Sequence, residues 1–231
     1  MVQVNNTPIT LRLKFFKVGK LQYISHLDLV RTMMKIIVRA KLPLWYTEGY
    51  NPKPKIVFAA PLSIGTESKC EFMDVRLTEK ISPADAISLL NANMTDEMQI
   101  IDAYYPKMKL TELKWLGYRI EVLSPVINAE KIDAVKLLFD EDSLHVMKKG
   151  KSGIREVDIK PMIRQTCVSG SDGKLVIDCI LSADSAEFLN PEHIVKLLRE
   201  RLAILAAEDL TTESYTIMRS AAYRADLSEF K

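Results

Sequence analysis

The chain has 231 residues, of which 48% are hydrophobic and 27% charged, and its formal net charge is +2. These proportions are typical of a folded protein with one large domain or two smaller ones, and they exclude a disordered tail or a fibre. No apolar run approaches the roughly 20 residues that span a bilayer, and residues 1–10 do not resemble a secretory signal. We therefore expect a cytoplasmic protein that has no membrane partner.

Positive charge is concentrated at the start of the chain. Residues 1–60 contain ten lysines and arginines against two acidic residues, which is a net charge of +8, so the rest of the chain sums to −6. An asymmetry of this size predicts a basic surface that meets an anionic partner. Nucleic acid or a phosphorylated ligand is the natural candidate.

The first half of the chain has the pattern of an α+β domain. Residues 9–18 nearly alternate apolar with basic side chains, as in a strand with one buried face, and Ser25 is a good N-cap for a helix that ends near Lys41. The apolar stripe predicted for that helix consists of Leu27, Val30, Met34, Ile37 and Val38. Further strands are expected at 43–48, 55–62, 69–78 and 98–105, with a second helix that starts at Ser82-Pro83.

The second half repeats this order. Thr10 and Tyr118 open the two halves, Ser82-Pro83 and Asn190-Pro191 start their second helices, and both offsets are 108 positions. This repetition predicts two tandem ferredoxin-like (βαββαβ) units with extra strands: an N-terminal basic domain over 1–106, a linker over 107–116 and a C-terminal domain over 117–231. The alternative is two unrelated α+β domains whose spacings coincide.

The first helix carries a row of cations. Asp28, Arg31, Lys35 and Arg39 fall on one face of the helix, with few acidic residues between them. A charged row of this kind is often only a solvated surface. Its proximity in sequence to other cations also makes Arg31, Lys35 and Arg39 candidate phosphate ligands.

The segment from Gly49 to Lys55 has the composition of a stiff, basic loop. Pro52 and Pro54 restrict the backbone and hold Asn51 and Lys53 in extended conformations, so Lys53 and Lys55 are presented with little loss of entropy on binding. Aromatic side chains beside such cations stack on the bases of single-stranded nucleic acid. We therefore predict that Tyr50, Asn51, Lys53 and Lys55 contact nucleic acid; Tyr46 and Tyr50 packing on a sheet edge is the alternative.

The sequence predicts neither a metal site nor a cofactor site. His26 stands at the first helical position, where it is a structural or capping residue or, alternatively, a ligand or a general base. The other two histidines have no metal-ligand spacing, and phosphate-binding glycine motifs are absent from the sequence. Cys70, Cys167 and Cys179 lie far apart in apolar surroundings and are expected to be reduced, buried thiols.

Several motifs occur together and in order. They are Tyr23–Arg31, Gly49–Ile56, Ala60–Gly65 and Glu71–Val75, with a weaker motif at Val157–Met162. Their combination resembles the radical-SAM-linked protein family, a group of bacterial proteins of unknown function. The resemblance implies a radical-SAM protein as partner and a role near translation or RNA processing. The chain has no C-x-x-x-C-x-x-C cluster motif, so it would be the partner module and not the radical enzyme.

These observations lead to three functional hypotheses. The first is a non-catalytic module that binds RNA, such as tRNA or rRNA, or presents a substrate to a radical-SAM enzyme. The second is a metal-independent endoribonuclease with His26 as general base; the layout loosely resembles the endoribonucleases that process CRISPR repeat RNA, but the glycine-rich loop near their C-termini is missing. The third is an adaptor that binds the radical-SAM protein itself.

Overall fold

The computed structural model describes residues 7–150, 153–184, 187–207 and 211–231, without the side chains of residues 149 and 150. Residues 1–6, which belong to the predicted N-terminal domain, therefore lie outside the described residues. The chain divides into two compact units: unit 1 consists of Met1–Glu112 with Phe230–Lys231, and unit 2 of Leu113–Glu229. The division falls inside the predicted linker.

Unit 1 combines strands and helices in the order βαββαβ. Its strands are β1 (Ile9–Lys17), β2 (Ile56–Phe58), β3 (Thr66–Leu77) and β4 (Met98–Tyr104), and its helices are α1 (His26–Arg39) and α2 (Pro83–Asn91). Every pairing among these strands is antiparallel, and the order across the sheet is β4-β1-β3-β2. Short 3-10 turns at Gly19–Tyr23 and Leu110–Glu112 complete the unit.

One face of the unit 1 sheet forms the core with both helices. Because side chains alternate along a strand, Leu11, Leu13 and Phe15 of β1 all face the same way, and they are fully buried. They belong to one hydrophobic cluster with Met73, Val75 and Leu77 of β3, Leu29, Met33, Ile36 and Ile37 of α1, and Ala86 and Leu90 of α2. Both helices therefore cover this face of the sheet.

The opposite face of the same sheet holds a buried ion pair. Arg12 is fully buried and stands opposite Asp74 in the antiparallel register. Its Nε donates to Asp74 Oδ1 at 2.7 Å, and its Nη2 donates to Asp74 Oδ2 at 3.1 Å and to the Met108 carbonyl at 3.0 Å. The ring of Phe230 lies 5.0 Å from the guanidinium carbon. This face is therefore polar, yet it is partly enclosed.

Unit 2 repeats this order with one additional hairpin. Its strands are β5 (Trp115–Leu123), β6 (His145–Gly150), β7 (Gly153–Asp158), β8 (Ile163–Ser171), β9 (Lys174–Ser182) and β10 (Ser214–Tyr223), and its helices are α3 (Ala129–Asp140) and α4 (Glu192–Leu202). The antiparallel order across its larger sheet is β10-β5-β9-β8, while β6 and β7 pair with each other. The described residues of the chain thus form a mixed α and β fold with four α-helices.

Three sequence-based expectations need correction. In the predicted strand 43–48 the only β-pairs described are the isolated bridges of Leu44 and Tyr46, because prolines at 43, 52 and 54 supply no N–H to extend a ladder. Leu27 and Val38, predicted to lie on the buried stripe of α1, are exposed. Cys167, predicted to be buried, is exposed, whereas Cys70 and Cys179 are buried.

A carboxylate in unit 2 makes the stability of that unit depend on pH. Asp158 Oδ1 accepts hydrogen bonds from the backbone N–H groups of Leu144 at 2.8 Å and Lys160 at 2.9 Å, and these bonds lower the pKa of Asp158 from its ordinary 3.8. Its stabilising contribution is therefore fully present above 3.8 and is lost as the pH falls through the lowered value. We expect Asp158→Asn to lose this component in urea unfolding measured from about pH 7 to about pH 2.

The exposed Asp172, in the turn between β8 and β9, offers a matched control. Asp172→Asn should leave the acid dependence of unfolding as it is in the unchanged protein. If Asp158→Asn also leaves that dependence unchanged, the two backbone hydrogen bonds do not stabilise the charged form of Asp158.

Candidate nucleic-acid interface

Helix α1 presents its cations to solvent. The helix begins at His26, as predicted, because the Ser25 hydroxyl oxygen accepts the backbone N–H of Asp28 at 3.1 Å. Packing of the apolar face on the sheet turns Arg31, Lys35 and Arg39 outward, and all three are exposed. The helix therefore carries a row of cations along its outer surface.

Acidic side chains neutralise little of this row. The Arg31 guanidinium lies 3.2 Å from Asp28 in an exposed i,i+3 pair, which is a weak interaction in water. Within the described ranges, Lys35 and Arg39 have no ion pair with a carboxylate. These two cations are therefore available to an anionic partner.

The segment that follows α1 forms a closed hairpin loop. Tyr46 and Pro54 make an isolated β-bridge, the Thr47 N–H donates to the Lys53 carbonyl at 2.9 Å, and the Lys53 N–H donates to Thr47 Oγ1 at 3.1 Å. Tyr50 is at the tip and is fully exposed. Tyr50, Asn51 and Lys53 thus project from a loop that its own hydrogen bonds hold together.

This loop lies at the end of the sheet where α1 finishes. Only residues 40–43 separate Arg39 from Leu44, which bridges to Leu77 at the end of β3. The Trp45 N–H then donates to the Arg76 carbonyl at 2.8 Å. The C-terminal turn of α1 and the base of the loop therefore reach the same end of unit 1.

Lys55 has a different position from the other predicted site residues. Its carbonyl accepts the Arg76 N–H at 3.0 Å, and Val57, two residues further on, stands opposite Asp74. Alternation along the strand then places the Lys55 side chain on the Asp74 face of the sheet, away from α1. The C-terminal end of the α1 row and the base of the loop thus lie at one end of unit 1, whereas the Lys55 side chain faces the other side of the sheet.

His26 lies at the start of α1, where its ring packs against an aromatic side chain. Its centroid is 5.3 Å from that of Phe58, in an edge-to-face arrangement, and the residue is half-buried. No hydrogen bond of the imidazole is found within the described part of the chain. The ring contact agrees with a structural role, while the role of His26 as ligand or general base and the endoribonuclease hypothesis stay untested.

Three cations on the Asp74 face of unit 1 are not among the predicted site residues. Arg76, Lys107 and Lys109 line a cleft of about 450 Å³, together with Thr10 and Asp74. Lys107 and Lys109 were assigned to the linker, and Arg76 to the interior of an ordinary strand. Asp74 and Arg76 are two positions apart on β3, so the sequence could have predicted that both side chains lie on one face of that strand. The register with β1 and β2 is needed to show which other residues share this face.

Two kinds of feature are absent from the described residues. No group of three or more histidine, cysteine, aspartate or glutamate side chains is arranged to hold a metal ion in the described ranges. Among the helices of those same residues, none has the length and apolar character needed to cross a membrane.

Comparison with known proteins places the chain by family and not by activity. A family model described as "Uncharacterized protein conserved in bacteria (DUF2344)" matches residues 10–191. No curated protein matches the chain.

The similarity to solved structures is weak. An unknown protein from Galdieria sulphuraria is 10% identical with a TM-score of 0.26, over 92% of this chain and 99% of that one. DyPB from Rhodococcus jostii RHA1 is 9% identical with a TM-score of 0.22, over 95% of this chain and 94% of that one.

Proposed function

Since the chain belongs to the bacterial family of uncharacterised proteins DUF2344, we propose its function from its own surface: unit 1 is a non-catalytic module that binds RNA or presents a substrate. RNA phosphates contact Arg31, Lys35 and Arg39 on the outer side of α1 and Lys53 in the hairpin loop. Tyr50 stacks on an unpaired base. The partner implied by the motifs between Tyr23 and Val75 is a radical-SAM protein, and the complex acts in the cytoplasm on tRNA or rRNA.

The observation that carries this proposal is the combination of free cations with a free aromatic tip. Proteins that bind single-stranded nucleic acid place cations along the phosphate backbone and aromatic rings against the bases. The α1 row supplies the cations, and the hairpin loop, whose base lies at the C-terminal end of α1, supplies the aromatic ring. Tyr50 is fully exposed. A fully exposed aromatic side chain contributes little to folding, so its position is better explained by binding.

We also propose that the two units are copies of a ferredoxin-like unit. The support is the strand order: β4-β1-β3-β2 in unit 1 has the same pattern as β10-β5-β9-β8 in unit 2, with the β6–β7 hairpin as an insertion. In that case α1 and α3 occupy equivalent positions. Only α1 carries the row of cations, because α3 has Glu130, Asp133 and Asp140 among its exposed residues.

Salt dependence tests the RNA-binding proposal. Four phosphate contacts predict that a plot of log affinity against log salt concentration has a slope of about −2.8 for single-stranded RNA, since each contact contributes about −0.7. We expect Lys35→Gln/Arg39→Gln to weaken binding to tRNA and rRNA fragments of different sequence alike and to flatten the slope by about 1.4. Fluorescence anisotropy with labelled fragments measures both quantities.

The pair Lys69→Gln/Lys80→Gln controls for net charge, since it also removes two exposed lysines from unit 1. It should leave the slope within about 0.3 of the unchanged protein, because neither residue belongs to the proposed interface. A flat salt dependence for the unchanged chain, or equal effects of both pairs of substitutions, would exclude the α1 row as the RNA interface.

A specific observation also supports the adaptor hypothesis. Tyr23 at the end of the 3-10 turn, Leu27 in the first turn of α1 and Ile64 are exposed. The Gly65 N–H donates to the Gln22 carbonyl at 2.9 Å, which holds the Ile64 segment beside the start of α1. These apolar side chains are suited to a protein partner. Co-purification of a radical-SAM protein that survives nuclease treatment and is lost in Leu27→Asp would favour this function over RNA binding.

A further inference from the structure

A cleft of unit 1 lies on the sheet face opposite its helices. It has a volume of about 450 Å³, within the usual range for small-molecule sites. Its polar lining consists of Thr10, Asp74, Arg76, Lys107 and Lys109. Three of these five side chains are cations. The cleft lies on the opposite face of the sheet from α1, so these cations are distinct from the α1 row.

The strand register explains how the first cation is positioned. Thr10 of β1 stands directly opposite Arg76 of β3, so the hydroxyl and the guanidinium are neighbours on one face. Lys107 and Lys109 come from the segment that follows β4, and both are exposed. In the described parts of the chain, none of the three cations forms an ion pair with a carboxylate.

Among the described residues that line this cleft, the one carboxylate, Asp74, is already neutralised. Asp74 receives both the Nε and the Nη2 of the fully buried Arg12, and Arg12 Nη2 also binds the Met108 carbonyl. Arg12 therefore cancels the charge of Asp74 and also ties the lysine-bearing segment to the sheet. Its Nη1 is buried and has no hydrogen-bond partner among the described residues. Glu112 lies nearby, and its Oε1 accepts the Lys109 backbone N–H at 3.1 Å.

We propose that this cleft binds a phosphate monoester, held by Arg76, Lys107 and Lys109. A phosphate monoester carries close to two negative charges at neutral pH, which matches a lining with three unpaired cations better than a single carboxylate would. The planar guanidinium of Arg76 donates two parallel N–H groups to phosphate oxygens. Val57 and Leu110 supply an apolar wall for the organic part of the ligand.

Two sources provide this chemistry: a free mononucleotide and the terminal phosphate of an RNA strand. Isothermal titration with AMP, adenosine, inorganic phosphate and short oligoribonucleotides with and without a 5′-phosphate separates them. In the Lys35→Gln/Arg39→Gln background, which weakens RNA binding at α1, we expect AMP or the phosphorylated oligonucleotide to bind more tightly than adenosine or the unphosphorylated oligonucleotide. If AMP binds, a free nucleotide suffices; if only the phosphorylated oligonucleotide binds, the ligand is a strand end.

Variants of the cleft identify the groups that bind. Lys107→Gln/Lys109→Gln should weaken binding by about tenfold for each cation removed, and Arg76→Gln should do at least the same. Because Lys107 and Lys109 are exposed, the double variant keeps the fold. Lys69→Gln is the matched control, since Lys69 is an exposed cation on the same strand, seven residues or about 23 Å from Arg76.

The proposal is overturned if no phosphorylated probe binds, if adenosine binds as well as AMP, or if Lys69→Gln has the same effect as the cleft variants. It does not depend on RNA binding by α1. Lys35→Gln/Arg39→Gln should leave AMP binding unchanged and reduce RNA binding, so failure of one proposal is distinguishable from failure of the other.

Discussion

Replacing Arg12 by Met should destabilise unit 1 by roughly 3–5 kcal/mol, which is the usual cost of leaving one member of a buried ion pair without its partner. Arg12 is fully buried and Asp74 is nearly so, so the substitution removes the charged partner of a carboxylate that has little contact with solvent. Asp74 would lose both of its hydrogen bonds to Arg12 in a partly enclosed site. The Met108 carbonyl would also lose its donor.

The two tryptophans allow this effect to be measured in one unit. Trp45 belongs to unit 1 and Trp115 to unit 2, and the chain has no other tryptophan. In a Trp115→Phe background, urea unfolding followed by tryptophan fluorescence reports on unit 1 alone. We expect Arg12→Met/Asp74→Leu to recover most of the lost stability, because removing both charges eliminates the desolvation cost.

Unit 2 contains a matched control. Arg119 makes the same two-pronged contact with Asp178, with both distances at 2.8 Å, but both side chains are about half exposed. In a Trp45→Phe background, the fluorescence of Trp115 reports on the unfolding of unit 2. Arg119→Met should therefore lower the free energy of unfolding of unit 2 far less than Arg12→Met lowers that of unit 1. Equal losses at the two sites would mean that burial does not determine the strength of these pairs.

The pair of Arg12 and Asp74 also shows what the sequence could not predict. Alternation of apolar and basic residues correctly predicted β1 with one apolar face, and it implied that Arg12 points to water. Arg12 is buried because a carboxylate 62 residues away is placed opposite it by the strand register. Register depends on pairing between distant segments, and a local pattern does not contain it.

Helix α1 gives a similar lesson at shorter range. The cap at Ser25 was predictable because it depends on two residues three positions apart. Which side of the helix is buried could not be predicted from the sequence, because apolar residues occur on two sides of this helix. The packing against the sheet selects Leu29, Met33, Ile36 and Ile37, and it leaves Leu27 and Val38 exposed.

The candidate site residues also divide into those whose position depends on neighbouring residues and those whose position depends on strand pairing. The exposure of Tyr50 and Lys53 on a hairpin loop agrees with the prolines around them, because proline acts on its immediate neighbours. The separation of Lys55 from Lys53, and its association with Arg76, depends on which strand accepts residues 55–58. Sequence reasoning therefore identified the basic character of this segment, while the strand register places Lys53 and Lys55 on different parts of the surface of unit 1.

Tyr50→Ala should reduce the affinity for single-stranded RNA by about 1–3 kcal/mol, the usual cost of losing one aromatic ring that stacks on a base. The fully exposed ring makes little contribution to folding, so the urea midpoint of unit 1 should not change. Tyr50→Phe keeps the ring and should bind nearly as well as the unchanged protein. Tyr23→Ala, which removes another exposed tyrosine of unit 1 outside the interface, controls for general effects.

The salt dependence distinguishes stacking from charge. Tyr50→Ala should lower affinity equally at each salt concentration and leave the slope near −2.8, whereas Lys35→Gln/Arg39→Gln should flatten it by about 1.4. If Tyr50→Phe loses as much affinity as Tyr50→Ala, the hydroxyl group and not the ring makes the contact. If neither substitution changes RNA binding, the tip of the hairpin loop is not part of the interface.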